Sequence, residues 1–249
     1  MIKKQIPNII TSFNLLCGSL SIYFLYNSPS LVLPSILILL GGVFDLFDGM
    51  VARMLGVGSE MGKQLDSLAD MVSFGLAPSL IAISIIAPGN LYENPPIRFP
   101  FLFIPLLMAI MSGFRLAKFN IDDRQTTEFL GVPTPANAMI WAGIPIIHYL
   151  ETSSLSLWGF GGFLPTMIHS FLINPKTIIV LSIILSILLI VELPLLSLKF
   201  RNMGWKENKS RYVFIIISLF LIFALNFYAI PLMVLVYIIL SLIVNTNRK

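Results

Sequence analysis

Uninterrupted apolar runs, such as LVLPSILILL from Leu31 and TIIVLSIILSILLIVELPLL from Thr177, most narrow what this chain can fold into. A helix needs about 20 such residues to cross a hydrocarbon core of about 30 Å. Barrel strands would instead alternate polar and apolar side chains over about ten residues, and these runs do not alternate. Apolar residues fill 57% of the 249 positions and charged ones 11%, against about 25% charged in an average soluble domain. With a mean hydropathy of +0.90, the chain reads as an all-α, polytopic integral membrane protein.

The hydropathy pattern predicts eight spans, near 9–27, 31–50, 68–87, 100–118, 132–150, 176–198, 212–228 and 229–245, the last two sharing a tight turn near Ala229–Pro231. Residues 1–198 form one membrane unit. Residues 199–249 form a connector, including LKFRNMGWKENKSR from Leu198 to Arg211, followed by a C-terminal hairpin. The segment 151–175 is too broken by Gly, Pro and Ser to span, and with Trp158 it suits an interfacial loop on the outer side. The N-terminal KK and apolar run resemble a signal peptide but lack a small-residue cleavage site, so we expect a retained amphipathic start and first span. The single cysteine, Cys17, reads as a small core residue.

Cations set the orientation. With the N-terminus inside, Lys3, Lys4, Arg53, Lys63, Arg115, Lys118, Arg124, Lys199, Arg201, Lys206, Lys209, Arg211, Arg248 and Lys249 are cytoplasmic, 14 of the 16 Lys and Arg residues; Arg98 and Lys176 are not. The net charge of +4 therefore reads as topology and contact with anionic membrane lipids, not as nucleic-acid binding. A prokaryotic cell membrane is the expected location.

Against this background four acids, Asp45, Asp48, Asp66 and Asp70, fall within 26 residues. Ionisable groups in a span are costly and mark function by default. Asp45 and Asp48 are three apart and Asp66 and Asp70 four apart, so each pair shares a helical face. Two such faces offer oxygen ligands suited to Mg²⁺ or Mn²⁺, and no Cys or His is present to favour zinc. Between them, Gly49 and Ala52 leave a helix face bare, Arg53 supplies a forked cation for phosphate, Gly56, Gly58 and Gly62 loosen the connection, and Ser59 adds a hydroxyl. A plainer reading has the acids capping helix ends in the headgroup zone, paired with Arg53 and Lys63. Four acids on two faces around a Gly/Ala/Arg patch speak against it.

The full pattern, D-x2-D-G-x2-A-R-x8-G-x3-D-x3-D, is met by Asp45, Asp48, Gly49, Ala52, Arg53, Gly62, Asp66 and Asp70. It resembles the signature of the CDP-alcohol phosphatidyltransferase family, whose members exchange CMP on a CDP-linked lipid for an alcohol. The resemblance implies a six-helix core, here with the hairpin added, and often a homodimer. It implies Asp45, Asp48 and Asp66 as ligands of two divalent ions, Asp70 as both ligand and general base, and Gly49, Ala52, Arg53, Ser59 and Gly62 at the CDP-lipid. PNIIT resembles the family's N-terminal motif, which places Asn8 and Thr11 at the nucleotide. LDSLADMVSFGLAP (65–78), FRLAKFN (114–120) and FLGVPTPANA (129–138) resemble the serine-accepting branch, implying CDP-diacylglycerol and L-serine as substrates.

For a zwitterionic acceptor, Arg115, Lys118 and Asn120 suit the carboxylate and Asp122 or Asp123 the ammonium. Arg115 and Lys118 equally fit cations that snorkel to the headgroups, and a phosphorylated alcohol would also welcome them. A sister transferase acting on glycerol 3-phosphate or inositol phosphate is therefore a second reading. A cation-coupled transporter is a third, though that class spreads its acids near the midplane of repeated halves. His148 and His169 lie away from the acids and read as structural. No Ser, Cys or Lys nucleophile is evident, which favours direct displacement.

Overall fold

A computed structural model describes residues 2–87, 100–121, 129–153, 163–195 and 204–246. Arg98, Asp122, Asp123, Arg124, Trp158, Lys199, Arg201, Arg248 and Lys249 lie outside the described residues, so the expectations placed on them have no structural counterpart.

The long apolar runs become helices because a backbone in lipid satisfies its N–H and C=O groups only within itself. α1 (Ile2–Asn27) and α2 (Val32–Leu55) form an antiparallel pair, and α3 (Glu60–Asp70) runs through a π-helical turn (Met71–Leu76) into α4 (Ala77–Ile86). α5 (Leu106–Ile121) and α6 (Thr134–Thr152) follow, then the short α7 (Phe163–Leu172) and α8 (Pro175–Ile190). α9 (Trp205–Leu225) and α10 (Ala229–Thr246) close the chain. Two short strands, β1 (Phe129–Leu130) and β2 (Pro194–Leu195), pair antiparallel and tie the start of α6 to the chain after α8. The chain is thus an all-α, multi-pass membrane protein, this two-residue ladder aside.

Gln5–Asn27, Val32–Leu55, Glu60–Ile86 and Phe101–Ile121 are each long and apolar enough to cross a membrane, as is the stretch Asn208–Val244 that takes in α9 and α10. The third crossing starts at Glu60, not near 68, because Ser59 caps the helix there: its Oγ accepts from the Gly62 N–H at 3.0 Å. At the sixth expected span, α8 is a shorter apolar helix of 16 residues that ends at Ile190, short of the expected 198. Val191 turns extended, and Glu192 and Pro194 follow, neither suited to continuing an apolar helix. The C-terminal hairpin turns at Asn226–Tyr228, three residues before the expected position, with Asn226 at φ 51°. Within the expected outer loop, α7 forms a helix too short to cross.

Two buried clusters share α4 and α6. One joins Leu25, Ile38, Phe74, Ile81 and Ala142, fastening α1 and α2 to the π turn. The other joins Ile86, Met108, Trp141, Ile178, Leu185 and Tyr237, fastening α5, α8 and α10 to the same pair. In α6, Asn137, Ala138 and every residue from Ile140 to Ile147 are buried, so it runs through the middle of the bundle. Fixed helices on either side of this axis hold the acidic helices in register.

Candidate active site

α2 carries Asp45, Asp48, Gly49, Ala52 and Arg53 on its last turns and stops at Gly56. There a left-handed backbone (φ 60°) lets Gly56 and Val57 donate back to the Arg53 and Ala52 carbonyls. Three residues later Ser59 caps the start of α3. Both helices pack on α1, and the acids of α2 meet Asp66 of α3 there. One carboxylate oxygen from each of Asp45, Asp48 and Asp66 lies within 4.8 Å of the others. Asp70 does not belong to this trio. It sits one turn deeper, is buried, and is close enough to sense the charge of Asp45, Asp66 and Asp48.

The trio's neighbours do not neutralise it. Thr11 Oγ1 is 2.6 Å from Asp48 Oδ2 and 3.0 Å from the Pro7 carbonyl; its one proton is best spent on the charged oxygen. Arg53, exposed on α2, draws on Asp48 through its charge. Asp66 Oδ1 is buried with no hydrogen-bond partner among the described residues. A buried carboxylate oxygen is stable only if something positive or a donor meets it. An oxygen-only set of three acids with such an orphan fits a hard divalent cation.

A cleft of about 220 Å³ opens beside the trio, bordered by Asp48 and Asp66 and lined by Asn8, Thr11, Gly49, Ala52, Ser59 and Gly62. Every residue expected at the CDP-lipid lines it except Arg53, whose Nη1 would stand 3.3 Å from a Cβ placed on Gly49. Gly62 is equally constrained, since a Cβ there would lie 3.0 Å from Asn8 Oδ1. Lys63 also lines the cleft and donates from Nζ to the Asn120 carbonyl at 2.7 Å, linking α3 to α5.

The residues expected at the acceptor separate. Arg115 is 8% exposed, senses the charge of Asp70, and has no partner for Nε or Nη2 among the described residues. Lys118 is half exposed and ion-paired with Glu192. Asn120 donates from Nδ2 to Ser67 Oγ at 2.8 Å. Only Arg115 is directed to the acidic centre.

Sequence reasoning missed Asn14. Its Nδ2 donates to Asp70 Oδ1 at 3.1 Å, and its carbonyl accepts from Ser73 Oγ at 2.9 Å, which braces α1 against the π turn. The available signal was an amide in mid-span, an uncommon place for one in lipid. At the opposite end of the bundle His148 and His169 stack, with Nδ1 and Nε2 2.9 Å apart. Burial and then the His148 ring hold the His169 pKa below its usual value, with Glu151 opposing. A mutually bonded pair far from the acids supports a structural role.

A bundle of membrane-crossing helices that gathers three carboxylates beside a polar cleft at one end defines a multi-pass protein with an acidic, metal-type centre. The chain belongs to the CDP-alcohol phosphatidyltransferase family, whose sequence profile matches residues 4–246. It is similar to three proteins named CDP-diacylglycerol–serine O-phosphatidyltransferase. The Bacillus subtilis protein is 40% identical over 160 residues, covering 61% of this chain and 85% of that protein. The Methanocaldococcus jannaschii protein is 35% identical over 154 residues, 61% of this chain and 67% of that one. The Helicobacter pylori protein (strain 26695) is 32% identical over 158 residues, 61% of this chain and 63% of that one.

Proposed function

We propose that the protein transfers the phosphatidyl group of CDP-diacylglycerol to the hydroxyl of L-serine, giving phosphatidylserine and CMP. The observation that carries this reading is the Asp45–Asp48–Asp66 trio, with Asp70 next to it, beside a cleft lined by the family's CDP-lipid positions. Serine as acceptor is supported by the names of the similar proteins and by Arg115, a buried guanidinium with unpartnered N–H groups near Asp70. A carboxylate would satisfy those donors and balance the charge.

In this reading Asp45, Asp48 and Asp66 hold Mg²⁺ or Mn²⁺, with Asp70 adjoining as a ligand for a second ion. The bound ions supply positive charge that screens the diphosphate and steadies the departing CMP. Thr11, Ser59 and Arg53 orient the CDP-lipid, and Gly49, Ala52 and Gly62 leave room for its phosphates. Arg115 receives the serine carboxylate. Asp70 takes the proton from the serine hydroxyl as that oxygen bonds to the lipid-side phosphorus; the bond from this phosphorus to the CMP phosphate oxygen breaks, and its electron pair leaves with CMP. With divalent ions bound beside it Asp70 would stay ionised, so it would act through position. Asn14 occupies Oδ1, which leaves Oδ2 for the proton.

The catalytic unit in this reading is 1–198, with 199–249 added to it. The protein works as a homodimer in the cell membrane, its cleft open to the cytoplasm for serine and to the bilayer for the lipid. CMP release from purified protein with CDP-diacylglycerol and Mn²⁺ tests the function, using L-serine, glycerol 3-phosphate and inositol phosphate in turn. Release with serine alone is expected. Release only with a phosphorylated alcohol would replace serine by that acceptor, and release with none would remove the transferase reading.

A further inference from the structure

Helix α5 is fastened twice to the rod formed by α3 and the π turn. One attachment is close packing: a Cβ on Gly75 of the π turn would stand 3.1 Å from Ser112 Cβ, and one on Gly113 3.6 Å from Met71 Sδ. The other lies near the end of α5, where Asn120 uses both its backbone and its side chain. Its carbonyl accepts from Lys63 Nζ at 2.7 Å, and its Nδ2 donates to Ser67 Oγ at 2.8 Å. Ser67 Oγ in turn donates to the Lys63 carbonyl at 3.2 Å. Three hydrogen bonds thus close a ring between the two helices.

The pairings run antiparallel: Ser67 with Asn120, then Met71 with Gly113, then Gly75 with Ser112. Asp70 lies between the first two on the rod, and Arg115 lies between the same two on α5. The ring therefore fixes where a buried guanidinium with unpartnered N–H groups stands relative to the proposed base. Neither Ser67 nor Asn120 lines the CDP-lipid cleft; of the ring only Lys63 borders it. The sequence placed Asn120 at the acceptor, but its amide is turned to a hydroxyl of α3.

We propose that Asn120 is a positioning residue: with Ser67 and Lys63 it sets Arg115 against Asp70, and it acts on the acceptor only through Arg115. This rests on the serine reading above and deepens it.

The test is steady-state CMP release by full-length protein, with serine and CDP-diacylglycerol varied separately. Asn120→Ala and Ser67→Ala open the same link. Each is expected to raise KM for serine about fivefold, the effect of one neutral hydrogen bond, with KM for CDP-diacylglycerol within twofold of wild type. The double variant should rise no further, whereas independent contacts would multiply to about 25-fold. Ser67→Thr, which keeps the hydroxyl, should leave both constants unchanged. A rise confined to Asn120→Ala would make Asn120 a direct contact of the acceptor and overturn the proposal. A wild-type serine KM in both variants, or equal rises for both substrates, overturns it too, and each of these leaves the serine reading standing. If Asn120→Ala does not fold, Ser67→Ala against Ser67→Thr decides alone. Absence of serine-dependent release from the wild type overturns both.

Discussion

Asp70 and Asp66 are both acids on one face of α3, yet their surroundings give them different work. Asp70 has one oxygen fastened to Asn14, whereas Asp66 has an oxygen that no described residue meets. Removing the fastening should misorient the proposed base without removing it. Asn14→Ala is expected to lower kcat about tenfold, the effect of one hydrogen bond to a charged group, with both KM values within twofold. Asp70→Asn should lower kcat by about 10²–10⁴, the usual contribution of a general base. An Asn14→Ala enzyme with wild-type kcat would break the link between α1 and the chemistry. Asp66→Asn instead should raise the Mn²⁺ concentration for half-maximal rate by about tenfold or more, read from a metal titration at saturating substrates. The trio and the cleft were legible in the sequence because spacings of three and four fix a helical face. Asn14 was not, since nothing local ties it to a residue 56 positions away. Nor was the parting of Arg115 from Lys118, which depends on Glu192 standing near the end of α5.

At the scale of elements, hydropathy located the crossings, but the features that aim the site are irregularities in them. The π turn directly after Asp70 inserts a wider coil where Gly18 of α1 lies against Ser73; such turns recur at functional sites. Gly18 permits that approach. A Cβ there would lie 2.3 Å from Ser73 Oγ and 2.7 Å from Ser73 Cα, a clash with backbone that no rotamer relieves. Because Ser73 donates to the Asn14 carbonyl, the displacement would pass to Asp70. Gly18→Ala should cost about 1–3 kcal/mol by overpacking, lowering the melting temperature in detergent by several degrees. It should also reduce CMP release well below that transition. A melting temperature equal to wild type would mean that the helices part freely and the close contact constrains nothing. Hydropathy could not reveal the π turn, because MVSFGL is as apolar as its neighbours. It also overran the end of α8, where a strand pairing with Phe129–Leu130 takes over from the helix, a contact across more than 60 residues.

For the whole molecule, the two ends of the bundle carry different chemistry, and this gives the orientation a structural basis. The acidic centre, Lys63, Lys118 and Glu192 gather at one end, where Lys63 meets the last turn of α5 and Lys118 meets the chain after α8. At the other end the Tyr228 hydroxyl donates to Glu151 at 2.6 Å, joining the hairpin turn to the end of α6, close to the His148–His169 stack. An even number of crossings between the end of α6 and that turn returns the chain to the same face. Their contact requires two crossings, α8 and α9, between them. The eight-span thread predicted from hydropathy has the same parity. By that thread 14 of the 16 cations lie on the acidic side, which supports the proposed cytoplasmic placement of that end. Cys17 is the single cysteine and is buried, so cysteines placed at exposed positions in a Cys17→Ala background report sidedness alone. In intact cells Ser170→Cys, on α7, should react with a membrane-impermeant maleimide, and Ser59→Cys should react only after the membrane is opened. The reverse pattern would turn the acidic cleft to the exterior, away from cytoplasmic serine, and the proposed supply of both substrates would fail even if the carboxylates bind their metal as described.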